Sequence, residues 1–295
     1  MTAKPEDEGP SIASLARESF YRLFADEAIP LAGNIAFRTV FSIFPFLIFL
    51  TALAGFFGND NLAEGVVTFL LSVAPAELVK PLVPEIRSIL TVPRTGLLSL
   101  SALITIWSAM GGVDSVRVGL NRAYDIRETR SAWWLYFVNI LFVIGSAIFL
   151  LIFALLIVFA PVMIQVIEAH APALRGHFVT IEQLRYPIGI VLLTLGVLFC
   201  HRVLPAKSRS VLALLPGVVL TVAVWVIMSS AFSIYLVNFN TFASTYASLS
   251  GIFAAMFFVY LAALVLILGG EVNRVLEVRR IMRMQRFKSP GGGEV

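Results

Sequence analysis

Residues 33–57, which read GNIAFRTVFSIFPFLIFLTALAGFF, are the stretch that most limits how this chain can fold. At about 1.5 Å per helical residue they reach roughly 37 Å, enough to cross a hydrocarbon core of about 30 Å with some tilt. Asn34 and Arg38 lie four residues apart and share one helix face, and Pro45 removes a backbone donor in mid-span. Such residues suit a helix surrounded by other helices, so the stretch predicts a bundle of spans.

The composition supports a membrane protein. Hydrophobic residues make up 59% of the chain and charged residues 14%, with a mean hydropathy of +0.90. In soluble domains about 45–50% of the residues are apolar and about 25% are charged. We therefore predict an all-α, polytopic membrane helix bundle.

Cys200 is the only cysteine, which excludes an intrachain disulfide and a cysteine-based metal site. The polar first thirty residues do not match a cleavable signal peptide, so the first span should act as the insertion signal.

Six apolar stretches are separated by polar connectors. We expect a disordered segment over residues 1–10, one membrane domain over residues 11–280 and a basic cytoplasmic tail over residues 271–295. Residues 11–27 have the pattern of an amphipathic helix, which either lies on the membrane surface or packs under the bundle. Residues 59–95 predict an insert of short amphipathic helices. The spans are expected at about residues 33–57, 97–118, 133–158, 187–201, 211–236 and 246–270.

Several polar residues are expected at the inner ends of these spans. Asn34 and Arg38 lie at the start of the first span, Asp114 near the end of the second, and Glu271 and Asn273 at the end of the sixth. Because ionised groups at membrane depth usually face the bundle and pair, Arg38 could pair with Asp114 or Glu271 around a pocket open to the cytoplasm. The alternative is that Arg38 extends to the inner surface and the other groups are capping or exposed.

Small residues recur at every fourth position of the sixth span. They indicate a close helix contact, with a substrate path along the same face as the alternative. The set consists of Ala243, Ala247, Gly251 and Ala255.

No catalytic or metal-binding motif emerges. The chain has no Walker-type loop and no GxSxG turn. His170 and His177 lie in one loop, and His201 lies on the other side of the membrane, which is a poor arrangement for a metal. The basic tail suits anionic lipid better than nucleic acid because it has a single aromatic residue, Phe287, to stack on a base.

Three segments resemble the YihY family, also called virulence factor BrkB and formerly labelled ribonuclease BN. They are NIAFRTVFSIFPF at residues 34–46, SLSALITIWSAMGGVDSVRVGLNRAYDI at residues 99–126 and YASLSGIFAAMFFVYLAALVLILGGEVNRVLE at residues 246–277. The resemblance covers roughly residues 15–280 and implies a six-span protein of the bacterial inner membrane with no established biochemical activity.

The expected function follows from a polytopic bundle that has polar residues inside it and no catalytic set. Transport or lipid handling is the leading hypothesis, a non-catalytic envelope scaffold is the alternative, and a membrane-bound ribonuclease is a remote third. We expect no enzyme activity, cofactor, metal or nucleic-acid partner. Membrane lipids are the expected partners, with an anionic lipid head group or an ion in the pocket. The sequence leaves open whether the chain forms a homo-oligomer.

Positive charge predicts the orientation. With both termini in the cytoplasm, sixteen of the 22 lysines and arginines fall on the cytoplasmic side and five on the opposite side, apart from Arg38. A reporter that is active only outside the cytoplasm, fused after Val295, should therefore be silent. An active fusion would mean that the number of spans is odd or that the orientation is reversed.

Overall fold

A computed structural model describes residues 11–57, 64–65, 67–68, 83–91, 95–159, 175–239 and 247–288. Every regular element within these ranges is helical, which confirms the all-α class. The segment over residues 1–10, most of the insert over residues 59–95, and Ala243 lie outside the described residues. The helices are α1 (Ile12–Ala25), α2 (Ala28–Phe57), α3 (Val83–Thr91), α4 (Thr95–Ala123), α5 (Ala132–Ala154, followed by a π-helical turn, Leu155–Phe159), α6 (Arg175–Val203), α7 (Val211–Phe239) and α8 (Ala247–Lys288).

Serine side chains start two of these helices. Ser11 precedes α1, and its Oγ accepts a hydrogen bond from the backbone N–H of Ser14 over 3.2 Å. Ser131 has the same role before α5, where it accepts from the N–H of Trp134 over 3.4 Å. Each serine satisfies one of the backbone donors that a helix start leaves without an intrahelical partner.

Five helical segments in the described chain are long and apolar enough to cross a membrane. They lie in α2, in α5 with its π-helical turn, and in α6, α7 and α8, so the membrane class is supported and the exact count of six is not confirmed. The predicted second span at residues 97–118 falls within α4, a helix of 29 residues, or about 44 Å. The five segments are Ala28–Leu53, Ala132–Ile157, Gln183–Val203, Val211–Tyr235 and Gly251–Gln285.

The helices run beyond several predicted span limits. We placed the start of the fourth span at Pro187, but α6 begins at Arg175 and continues through that proline. We ended the sixth span at residue 270, but α8 extends without a break to Lys288. Proline and glycine suggest helix boundaries in a sequence, but a helix that packs against neighbouring helices can continue through them.

The described chain forms two compact units. One comprises Met1–Ala36 with Val113–Val295, and the other comprises Phe37–Gly112. In the smaller unit α2 and α4 approach at Gly111, whose carbonyl accepts from a guanidinium N–H of Arg38 over 3.5 Å. A single domain over residues 11–280 stays a prediction.

In the larger unit α8 packs against both α7 and α1. Helix α1 is therefore held against the bundle, and its place relative to the membrane surface stays a prediction. Ser19 and Leu23 of α1 are buried, and Arg279 of α8 donates to the Glu18 carboxylate over 2.7 Å. The rest of α1 exposes Arg17 and Tyr21 as well as Phe20 and Phe24.

Helices α7 and α8 come closest at two glycines. A Cβ added to Gly269 would overlap the Thr221 hydroxyl and lie 2.8 Å from the carbonyl oxygen of Gly217. One turn on, the indole N–H of Trp225 donates to the carbonyl of Ala262 over 3.0 Å. Positions 217, 221 and 225 share one face of α7, so the contact runs along the antiparallel pair.

The predicted small-residue stripe lies elsewhere on α8. Gly251 and Ala255 are exposed, and a Cβ added to Gly251 meets open space. The structure describes the backbone of Ala247 but not its side chain. The packing role of the stripe therefore stays a prediction, and the close approach that the structure does contain is at Gly217 and Gly269.

Replacing Gly269 by alanine should destabilise the protein by about 1–3 kcal/mol, because the added methyl forces α7 and α8 apart. Gly251→Ala is the matched control on the same helix and should be neutral or slightly stabilising, since alanine favours a helix where there is room. Thermal unfolding in detergent measures both. Equal melting temperatures for the two variants would contradict the close approach.

Candidate functional site

Three buried polar side chains meet beside α8, where α4 and α6 end and α7 begins. Tyr124 follows α4, His201 lies in the last turn of α6, and Asn273 lies on α8 opposite the start of α7. Their side chains are 0%, 1% and 2% exposed, respectively. We call Tyr124, His201 and Asn273 the polar cluster.

Asn273 uses its whole amide group. Its Oδ1 accepts from the backbone N–H of Gly217 over 2.7 Å, and its Nδ2 donates to the carbonyl of Leu214 over 3.0 Å and to the Tyr124 hydroxyl over 3.2 Å. Pro216 lies inside α7 and has no N–H to donate. The side chain of Asn273 thus bonds to the backbone of α7 on both sides of the proline.

Asn273 also connects to His201 through Tyr124. One N–H of its amide donates to the Tyr124 oxygen, and the Tyr124 hydroxyl shares a hydrogen bond of 2.7 Å with Nδ1 of His201. The hydroxyl donates in this bond when the neutral imidazole carries its proton on Nε2. This Nε2 is buried and has no hydrogen-bond partner.

Arg209 lies over one face of the Tyr124 ring. The guanidinium of Arg209 lies 4.1 Å from the centre of the Tyr124 ring, a cation–π contact, and donates to Glu277 of α8 over 3.1 Å. Burial raises the pKa of the Tyr124 hydroxyl above its ordinary value. The hydroxyl therefore stays protonated, as a donor to His201 must be.

A second network ties the connector after α4 to the connector after α6. Glu128 binds Arg130 over 2.9 Å and also binds Arg117 and Asn121. Arg130 donates to the carbonyl of Leu204 over 2.6 Å. The hydrogen bond from Arg130, followed by those from its backbone N–H and from Arg117, holds the pKa of the Glu128 carboxyl well below its usual range. The ionised carboxylate is the hub of this network.

The structure gives the predicted pocket acids other arginines as partners. Glu271 is 0% exposed and accepts from Arg22 of α1 over 3.0 Å. Asp114 binds Arg117 one turn along the same helix and accepts from Asn139 of α5 over 3.4 Å.

Asn34 and Arg38 belong to different units. Asn34 donates to the Ser115 hydroxyl over 3.1 Å, while Arg38 lies in the smaller unit. The pairing of Arg38 with Asp114 or Glu271 stays a prediction.

Reasoning from the sequence missed most of the polar cluster. We considered His201 only as a metal ligand and did not single out Tyr124 or Gly217. Among the described residues no group of three His, Cys, Asp or Glu side chains could hold a metal ion. The sequence did contain one signal of the cluster. Pro216 and Gly217 interrupt an apolar stretch, and because proline removes a backbone donor, the backbone of α7 needs a hydrogen-bond partner from another helix there.

The family model described as virulence factor BrkB matches residues 19–290. This chain belongs to the BrkB family. It is 28% identical over 267 residues to the ribonuclease-like protein YfkH of Bacillus subtilis (strain 168), a match that covers 90% of this chain and 96% of that protein. No solved structure matches. The family resemblance seen in the three sequence segments is confirmed.

Replacing Arg22 by alanine should destabilise the protein by about 3 kcal/mol, because it leaves the buried Glu271 carboxylate without its cation. Arg22→Ala combined with Glu271→Gln should recover part of that loss. Arg17→Ala, which changes an exposed arginine of the same helix, is the matched control. Chemical unfolding in detergent would measure all three. If the double variant is no more stable than Arg22→Ala, the Arg22–Glu271 pair is not the source of the effect.

Proposed function

We propose that this BrkB-family protein is a bacterial inner-membrane transporter or lipid-handling protein. The observation that carries the proposal is the set of polar side chains buried in the candidate spans, above all Glu271, His201 and Asn273. Polar and ionisable groups at membrane depth are costly and usually belong to pathways or binding sites.

Lipid is the favoured cargo because of a groove on the lipid-facing side of the same helix pair. The groove has a volume of about 580 Å³ and lies between α7 and α8. Phe253 and Phe257 are more than half exposed at its wall. Its lining is apolar and aromatic, which suits an acyl chain better than a polar solute. The lining residues are Met228, Ala231, Phe232, Tyr235, Phe253, Ala254, Phe257, Phe258 and Leu261.

The proposed topology has six spans and both termini in the cytoplasm. Helix α4 serves as the second span, and its length supports this role. The excess of lysine and arginine on one side supports the orientation. In this arrangement the polar cluster is buried on the cytoplasmic side of the bundle.

Ribonuclease activity is disfavoured, although the name of the Bacillus subtilis relative suggests it. RNA cleavage needs positioned acid–base groups or metals that can reach the phosphate. His201 is the one histidine whose side chain the structure describes, and it is buried and bonded to Tyr124. We therefore propose that the protein is not an enzyme.

Reconstitution tests the proposed function. Purified protein in liposomes should move a fluorescent phospholipid between leaflets, or release a trapped ion, faster than protein-free liposomes do. Asn273→Leu should reduce the rate because it breaks the cluster, whereas Arg17→Ala, which changes an exposed side chain of α1, should leave it unchanged. Wild-type liposomes with no lipid or ion movement would favour the scaffold alternative.

RNA incubated with the same homogeneous protein should stay intact, and metal-dependent cleavage absent from a detergent control would contradict the non-enzymatic assignment.

A further inference from the structure

Helix α1 turns its polar side chains toward the rest of the protein. Glu18, Ser19 and Arg22 share one helix face. Arg22 donates to the carboxylate of Glu271 over 3.0 Å, and Glu18 accepts from Arg279 over 2.7 Å. Ser19, between them, is 1% exposed. The face of α1 that contacts α8 is therefore held largely by charged and polar groups.

The outward side of α1 is aromatic. Phe20, Tyr21 and Phe24 are 58%, 75% and 53% exposed, respectively. The ring centres of Phe20 and Phe24 lie 5.0 Å apart, so the two rings form one continuous apolar surface. Arg17 lies one turn earlier on the same side and is also exposed. We call Phe20, Tyr21 and Phe24 the aromatic face.

This arrangement is the reverse of that of a helix on the surface of a water-soluble protein. Such a helix packs its apolar stripe inward and leaves its charges in water. In α1 the charges of Glu18 and Arg22 are bonded to α8, while three aromatic rings point away from it. A contiguous apolar patch that a protein leaves exposed marks contact with a membrane or with another protein.

The neighbouring span identifies the membrane as the partner. Helix α1 ends at Ala25, and the candidate span of α2 begins at Ala28. Phe24 lies four positions before Ala28, a distance of about 6 Å along a helix. Ile29, the second residue of the span, is also exposed. The aromatic face therefore lies close to the surface that the span presents to lipid.

The order of side chains along α1 fits the boundary between lipid chains and head groups. Phe24 is nearest to the span, Phe20 and Tyr21 lie about one turn further away, and Arg17 lies about two turns away, or about 10 Å. Aromatic rings favour this boundary, and a long arginine side chain reaches from it to the head groups.

We propose that the aromatic face of α1 binds the bilayer surface beside the start of α2, with Phe20 and Phe24 among the lipid chains and Arg17 at the head groups. The bilayer is favoured over a second copy of the chain because the adjoining span already lies in it. The proposal goes beyond the proposed function, since it does not depend on what the protein moves.

Spin labels on full-length protein in liposomes test the contact. Cys200→Ala removes the only native cysteine, and single cysteines for labelling then replace Phe20, Phe24 or Lys207 in turn. Lys207, an exposed residue of the α6–α7 connector, is the control. Collisions of each label are measured with oxygen, which concentrates among lipid chains, and with a nickel chelate, which stays in water. Oxygen collisions should exceed nickel collisions at positions 20 and 24, and the order should reverse at position 207.

Two results would overturn the proposal. Labels at positions 20 and 24 that collide mainly with the nickel chelate would show that the aromatic face lies in water. Labels shielded from both reagents would show that protein covers the face, as in a dimer of this chain. Each variant should melt at the temperature of Cys200→Ala. If a phenylalanine variant melts earlier, the same comparison at Tyr21→Cys, the most exposed of the three rings, decides the outcome.

Discussion

The hydrogen bonds of Asn273 are the interaction on which the larger unit depends most. One amide satisfies the backbone of α7 on both sides of a proline and joins α8 to the end of α4 and, through Tyr124, to the end of α6. These side chains are buried, so water does not replace their partners and each bond must be made within the protein. This requirement explains why an asparagine lies between apolar turns of α8.

The contact between α7 and α8 has the same physical basis. Asn273 can reach Gly217 only because the two backbones approach closely, and they approach because positions 217 and 269 have no Cβ. Thr221 and Trp225 then bond to carbonyl groups of α8 along the same face. Close packing and polar bonding therefore support each other, as expected where the hydrophobic effect cannot drive two helices together.

Ion pairs attach α1 and two connectors to this core. Arg22 and Glu18 of α1 bind Glu271 and Arg279 of α8, and Glu128 gathers Arg117 and Arg130 between two connectors. Exposed ion pairs contribute little to stability. These pairs have at least one largely buried member, so the loss of either partner leaves a charge that water reaches poorly. The result is a polar layer that joins α1 to α8 and the connector after α4 to the connector after α6.

The sequence by itself determined the class of the protein, because the length and apolar content of its stretches leave a helical membrane bundle as the only stable solution. It also predicted the helix at residues 11–27 and identified Glu271 and Asn273 as polar groups at the end of α8. Only the tertiary structure decided their partners. Arg22 is 249 positions from Glu271, and Tyr124 is 149 positions from Asn273. Hydropathy and periodicity describe neighbours along one helix, whereas a hydrogen bond between two helices depends on how the helices are rotated and spaced. In α7 and α8 the spacing depends on Gly217 and Gly269, and their role becomes visible only once the helices are packed.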